Sequence, residues 1–368
     1  MIIILWIILI VAGLLFPKSK YLSYTQMIFI ILTMGLSTGT ADYDIYNKMF
    51  DSVLSNPKLI FSGSGLLYSI FYICGKILNY QSAIFIIALV GTILIYKAIY
   101  FYTKSTSLIL SAYLIAPFVI DATQLKNFLA MTIWLYFSRY LYLAFINQNR
   151  KQLRNILLYL VGVMISSYIH IAFLATALFV IIPYIKIKSL LIVSVCMNTL
   201  FLSLKSFNIL ELIMKKISSL NGSIFNIIYI KYVAYKIAFQ ADATNARLYL
   251  TIGFTVILLI CIFVIFILKI IKYENNIMMN FMIALNVTFL FLLPLFFFSM
   301  EFYRIQRNML IIDYIALSNG MTSSSCRKKI KVTNIVIGAL ILSIAYYYLY
   351  IDAIIWNYDT VFVPLFKL

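Results

Sequence analysis

Arg304 and Arg307 are two permanent cations three residues apart in Glu301-Phe-Tyr-Arg-Ile-Gln-Arg-Asn308, between an apolar run that ends near Met300 and another that begins at Met309. A guanidinium beside hydrocarbon is costly, so such a pair calls for a reason. The i, i+3 spacing places both on one helix face, where they can grip a single polyanion, or else snorkel to lipid phosphates. His170, the single histidine of the chain, follows Ser166-Ser-Tyr168; it can exchange a proton near neutral pH, or simply bond between helices. Asp42 and Asp44 flank Tyr43 after an apolar run, placed either to orient or deprotonate a hydroxyl if desolvated, or to cap a helix. Lys126 and Arg247 add cations, Lys126 as a phosphate helper or a solvated turn residue and Arg247 on a long connection. Cations for a polyanionic leaving group and a base for a hydroxyl are the parts of a group transfer from a diphosphate.

These residues must be positioned by membrane helices. With 368 residues, 64% hydrophobic, 11% charged and a mean hydropathy of +1.02, the chain is expected to be all-α and polytopic. The net charge of +18 comes from Lys and Arg in short gaps between apolar runs, which indicates membrane topology and excludes a nucleic-acid surface. Cys74, Cys196, Cys261 and Cys326 are scattered without CxxC spacing, and one histidine makes no zinc or haem centre, so no metal and no cofactor are expected. The first apolar segment has no basic leader and no small-residue cleavage site, and reads as a membrane helix.

Apolar length marks segments near 1–17, 21–39, 63–79, 82–101, 107–120, 127–146, 155–169, 171–185, 189–204, 248–268, 277–299, 303–320 and 332–351, and backbone groups in lipid require these to be helical. Placing the basic gaps inside (Lys18/Lys20, Lys104, Arg150/Lys151/Arg154, Lys186/Lys188, Lys269/Lys272 and Arg327/Lys328/Lys329/Lys331) works if 63–79 does not cross, or alternatively if another short segment does not. The expectation is about 12 spans, within 11–14. A single helix over 155–185 would run about 46 Å against a hydrocarbon core of about 30 Å, so it is either tilted or broken, with His170 the natural break. The outer face then collects the 40–62 loop with Asp42, Asp44 and Asp51, the turn carrying Asp121 and Lys126, His170, the Glu301–Arg307 boundary, and a connection over 205–247 whose alternating apolar and basic residues suggest amphipathic helices on the membrane. Tyr136–Tyr142 and Tyr346–Tyr350 read as interfacial belts.

No P-loop, GxGxxG, GxSxG or HExxH occurs, which disfavours ATP hydrolysis and nucleotide-cofactor redox chemistry. The ordered set Asp42-Tyr-Asp-Ile-Tyr-Asn-Lys-Met-Phe50, Gln124-Leu-Lys-Asn-Phe-Leu-Ala130, Ser167-Tyr-Ile-His-Ile-Ala172 and Phe302-Tyr-Arg-Ile305 resembles the EpsG branch of the Wzy-type polysaccharide polymerases, over about 40–320. The family commonly carries Arg-Gln where this chain has Lys126-Asn127, which removes the bidentate fork at that position.

The resemblance implies a GT-C-like membrane glycosyltransferase of the bacterial cytoplasmic membrane. Such an enzyme joins undecaprenyl-diphosphate-linked repeat units into capsule, exopolysaccharide or O-antigen at the outer face, alongside a flippase and a chain-length regulator. On that reading Arg304, Arg307, Lys126 and Arg247 hold diphosphate, and His170, Asp42 or Asp44 serve the acceptor hydroxyl. Tyr43, Tyr46, Asn127, Glu301 and Tyr303 line the substrate. Two other classes compete: a flippase or transporter would set its cations at the membrane midplane, and a membrane acyltransferase would pair its histidine with an acid within a helical turn, which His170 lacks.

Overall fold

The computed structural model describes residues 2–40, 42–61, 65–147, 151–206, 277–297 and 302–322, together with Lys216, Gly253 and Val361. The described elements are all helical: α1 (Ile2–Leu15), α2 (Lys20–Gly35), α3 (Tyr43–Ser55), α4 (Gly65–Gly75), α5 (Tyr80–Tyr102), α6 (Thr106–Ile115), α7 (Phe118–Thr123), α8 (Leu125–Ile146), α9 (Lys151–Ile169), α10 (Ile187–Ser206), α11 (Ile277–Phe289) and α12 (Tyr303–Thr322). Four of the described stretches are long and apolar enough to cross a membrane, Tyr80–Tyr102, Leu125–Ile146, Lys151–Ile169 and Ile277–Pro294. Apart from Lys205, Ser206, Lys216 and Gly253, the expected spans at 248–268 and 332–351, the Tyr346–Tyr350 run and the 205–247 connection lie outside the described residues.

Helix α8 is the hub, packed between α5 and α9. Close approach is bought at two glycines: a Cβ on Gly91 of α5 would collide with the Phe128 ring, and one on Gly162 of α9 with Phe137. Small residues at such contacts are what helices need in lipid, where packing replaces the hydrophobic effect as the driving force. Helix α12 is buried from Ile305 to Leu317 and packs on α5, α6, α8 and α11. Trp134 fills the space between α8 and the segment after α9, its indole N–H donating to the Tyr159 hydroxyl at 3.2 Å.

The 155–185 stretch takes the broken form of its two expected alternatives: it breaks at His170, whose backbone is extended (φ −139°, ψ 107°) and which is followed by a 3₁₀ segment, Ile171–Ile181. Two other expected segments take a different form. The 107–120 segment is interrupted by a cis Ala116–Pro117 bond and becomes α6 and α7, since proline cannot donate into the helical ladder. The 40–62 connection is not a loop: it folds into the amphipathic α3 and a 3₁₀ turn, Pro57–Phe61, with Tyr46, Phe50 and Val53 buried on one side. Helix α4, at 11 residues, measures about 16 Å and is too short to cross a core of about 30 Å; it lies against α3, α5 and α9.

The contacts between helix ends define the two ends of the bundle. At one end Leu108 N–H donates to Pro17 O at 3.4 Å, the Ser23 and Thr106 hydroxyls meet at 2.7 Å, and Asn319 donates to Tyr102 O at 3.2 Å. That end gathers Lys18, Lys20 and Lys104. Helices α2 and α9 run from there to an opposite end, where Gly35 and Ile169 close them, and α5, α8 and α12 start at that opposite end with Tyr80, Leu125 and Tyr303 and run back. Helix α9, with 19 residues, is about 28 Å long and α12, with 20, about 30 Å, each close to one hydrocarbon thickness. His170 and Arg304 therefore fall at the same membrane boundary, opposite the lysine-rich end.

Candidate functional site

At that boundary Arg304 and His170 touch. Arg304 Nη1 lies 2.9 Å from His170 Nε2; a guanidinium only donates, so Nε2 is the acceptor and the ring proton sits on Nδ1. His170 is held by its place in the chain. Its N–H closes α9 on Ser166 O at 2.8 Å, its carbonyl accepts from Phe173 N–H at 3.0 Å, and the Phe173 ring stands edge-on, 6.2 Å between centroids. The segment beyond is pinned where the Tyr159 hydroxyl donates to Thr176 O at 2.7 Å. The imidazole is thus buried on a fixed backbone, while Arg304 is only half-buried at the start of α12.

The amphipathic α3 closes the cluster from the side. The buried Tyr46 hydroxyl donates to Asp42 Oδ2 at 3.3 Å. It also meets the backbone of Lys126 and feels the Arg304 charge. Burial, with Asp42 adding to it, pushes the Tyr46 phenol above its ordinary value, so it stays protonated and donates. Asp42 occupies the N-cap position of α3 without capping the helix, its carboxylate engaged by Tyr46 instead. Lys126 is half-buried in the first turn of α8. Tyr43 turns outward from this group, donating to Gln81 Oε1 at 3.1 Å, and Asp44 is exposed.

One helical turn deeper, the arrangement changes character. Arg307 is 2% exposed and lies 3.3 Å from Asp121 Oδ1, while donating to Gln124 Oε1 at 2.8 Å. Tyr113 donates to the other Asp121 oxygen at 3.1 Å. Asn127 and Asn308 exchange amide hydrogen bonds at 3.3 Å in both directions. The two arginines thus do not share one surface: Arg304 stands at the boundary and Arg307 is neutralised inside, with Asn127 engaged in the same interior layer. Tyr303 is buried at the start of α12. Glu301 and Arg247 lie outside the described residues, and no metal-binding cluster occurs among the described residues.

Asp121, Gln124, Tyr113 and Asn308 are the members of this centre that residue spacing did not single out as site residues. A signal was present for Asp121, because an acid at the end of an apolar run requires a partner, and the nearest intramembrane cation is the one to look for.

A multi-pass helical membrane protein with a cationic, histidine-bearing cluster at one boundary is the class these observations define. The EpsG family model matches residues 20–360, and the chain belongs to the EpsG family. No curated protein and no solved structure matches it. The expected family is therefore confirmed, and with it the polytopic helical class.

Proposed function

We propose that the protein polymerises lipid-diphosphate-linked oligosaccharide repeat units at the outer face of the bacterial cytoplasmic membrane, as a GT-C-like glycosyltransferase with undecaprenyl diphosphate as leaving group. The observation that carries this reading is the 2.9 Å contact of Arg304 with His170 at the boundary opposite the lysine-rich end. Membership of the EpsG family supports it. So does the placement of the cations: a transporter would set them along a midplane path, whereas here the half-buried pair Arg304 and Lys126 stands at helix ends.

In the reaction, His170 Nε2 takes the proton of the acceptor hydroxyl as that oxygen bonds to the anomeric carbon of the donor sugar. The bond from that carbon to the diphosphate oxygen breaks, the electron pair leaving with the diphosphate. Arg304, helped by Lys126, stabilises the negative charge that develops there. The proton on His170 then passes to solvent. Asp42, steadied by Tyr46, accepts a hydrogen bond from an acceptor-sugar hydroxyl, and Tyr43 and Asp44 extend that side. Arg307 acts through its place in the fold, holding α12 against α7 and α8 so that Arg304 is aimed at the diphosphate.

The deciding assay is chain extension from purified lipid-linked repeat unit. Arg304→Ala is expected to slow extension about 10²–10³-fold, the usual effect of removing one donor from a developing anion. Undiminished extension by Arg304→Ala would refute the diphosphate role.

A further inference from the structure

The contact that marks the site also occupies the base. His170 Nε2 receives an Arg304 N–H at 2.9 Å, and a nitrogen whose lone pair is engaged by a guanidinium cannot take a proton from a hydroxyl. Building on the glycosyl-transfer reading, we infer that Arg304 is also the positioning residue that covers His170, and that a diphosphate uncovers it by drawing Arg304 away.

The two partners differ in mobility and in what they prefer. His170 is 5% exposed, and its backbone is tied on one side to α9 through Ser166 and on the other to the 3₁₀ segment through Phe173. Arg304 is half-buried on a long flexible stem at the first turn of α12. The side chain that moves is therefore the arginine. The bond to His170 has one ionised member, whereas a bond to phosphate oxygens joins two opposite charges and in its bidentate form matches the guanidinium fork. The phosphate wins the exchange. Lys126, half-buried in the first turn of α8 with its backbone against Tyr46, is the second cation assigned to the diphosphate in this proposal.

The consequence is specificity by order of events. The base becomes available only while Arg304 is engaged by a diphosphate, so a sugar without that leaving group meets a covered histidine. Arg304 thereby reads the carrier diphosphate as well as stabilising its departure.

Because the chain has one histidine, ring-¹⁵N-histidine labelling gives one pair of nitrogen resonances, both from His170. In the purified full-length protein in detergent, wild type is expected to show Nε2 as a hydrogen-bonded acceptor. Saturation with undecaprenyl diphosphate, followed through its own ³¹P signal, should shift that resonance. Arg304→Ala should show the shifted resonance without lipid and no further change on adding it; Arg304→Lys, retaining charge without the fork, should show a shift intermediate between the two. Failure of undecaprenyl diphosphate to bind, or a resonance that stays put at saturation, overturns the uncovering, as does an Arg304→Ala spectrum identical to wild type. Chain extension separates the two ideas. If His170→Ala abolishes extension while the wild-type resonance never moves, the polymerase reading stands and the uncovering falls. If the resonance moves but no repeat unit is extended, the uncovering holds and the polymerase reading falls.

Discussion

Replacing Asp121 by alanine should damage the protein more than replacing its partner Arg307 by methionine. Arg307 is 2% exposed and Asp121 fully buried, 3.3 Å apart. Without Asp121 the guanidinium keeps its charge, since arginine is not deprotonated in proteins, and loses its opposite charge while still donating to Gln124 Oε1 at 2.8 Å. Removing one member of a buried pair in this way costs about 3–5 kcal/mol. Methionine at 307 fills much of the arginine's volume, and the Asp121 left behind still accepts from Tyr113 at 3.1 Å and can escape its charge by taking up a proton. That change should cost about 1–3 kcal/mol, the penalty of one unmet buried polar group. The double variant Asp121→Ala/Arg307→Met should resemble the milder single variant, so the coupling in a double-mutant cycle should equal the Asp121→Ala cost, about 3–5 kcal/mol. Unfolding in mixed micelles titrated with a denaturing detergent, read by helical circular dichroism, measures all three. Strict additivity, or an Asp121→Ala variant within about 1 kcal/mol of wild type as an exposed pair would give, would refute the account of Arg307 as an interior strut.

Further outcomes can be checked in the same preparations. His170→Ala should slow chain extension about 10²–10⁴-fold, the usual worth of a positioned base; an unaffected rate removes the base assignment. Asp313, 2% exposed, accepts from Asn286 Nδ2 at 2.8 Å and has its other oxygen buried without a hydrogen-bond partner, so Asp313→Asn should be at least as stable as wild type, whereas Asp313→Ala should lose about 1–3 kcal/mol. Gly91→Ala should lose about 1–3 kcal/mol by overpacking against Phe128, and Phe128→Leu should restore part of that loss in the double variant.

Length and hydropathy made the helical class and the break at His170 legible, because a membrane of fixed thickness limits how far one helix can run. The position of the break followed from the same arithmetic that places Arg304 at a helix end. What spacing could not reveal was the depth at which each arginine sits. Residues three apart share a face but differ by about 4.5 Å along the axis, and at the start of a membrane helix that rise separates a half-buried guanidinium from one enclosed by α6, α7 and α8. The pairing of Arg307 with Asp121 joins positions 186 apart in sequence, and no local pattern encodes it. Similarly, 40–62, with Asp42, Asp44 and Asp51, reads as a loop, whereas the burial of Tyr46, Phe50 and Val53 shows an amphipathic helix laid against the bundle.

Helix α12 connects these levels. From the boundary inward it carries Arg304 on His170, Arg307 on Asp121 and Gln124, Asn308 on Asn127, and Asp313 on Asn286. Each deeper pair costs desolvation that an apolar residue of similar size would avoid, and buried ion pairs are poor sources of stability for that reason. Their effect is to fix rotation and register: turning or sliding α12 by one residue would strand Arg307 against hydrocarbon and leave Asp121 unpaired. Such a lock matters most for the one polar side chain of the series that stands half-buried at the boundary. Arg304 must reach two partners, His170 and a diphosphate, from a single Cα position, and a register error of about 1.5 Å along the axis would spoil one of the two contacts. The interior polar pairs therefore serve the site at the boundary, by exchanging stability for aim.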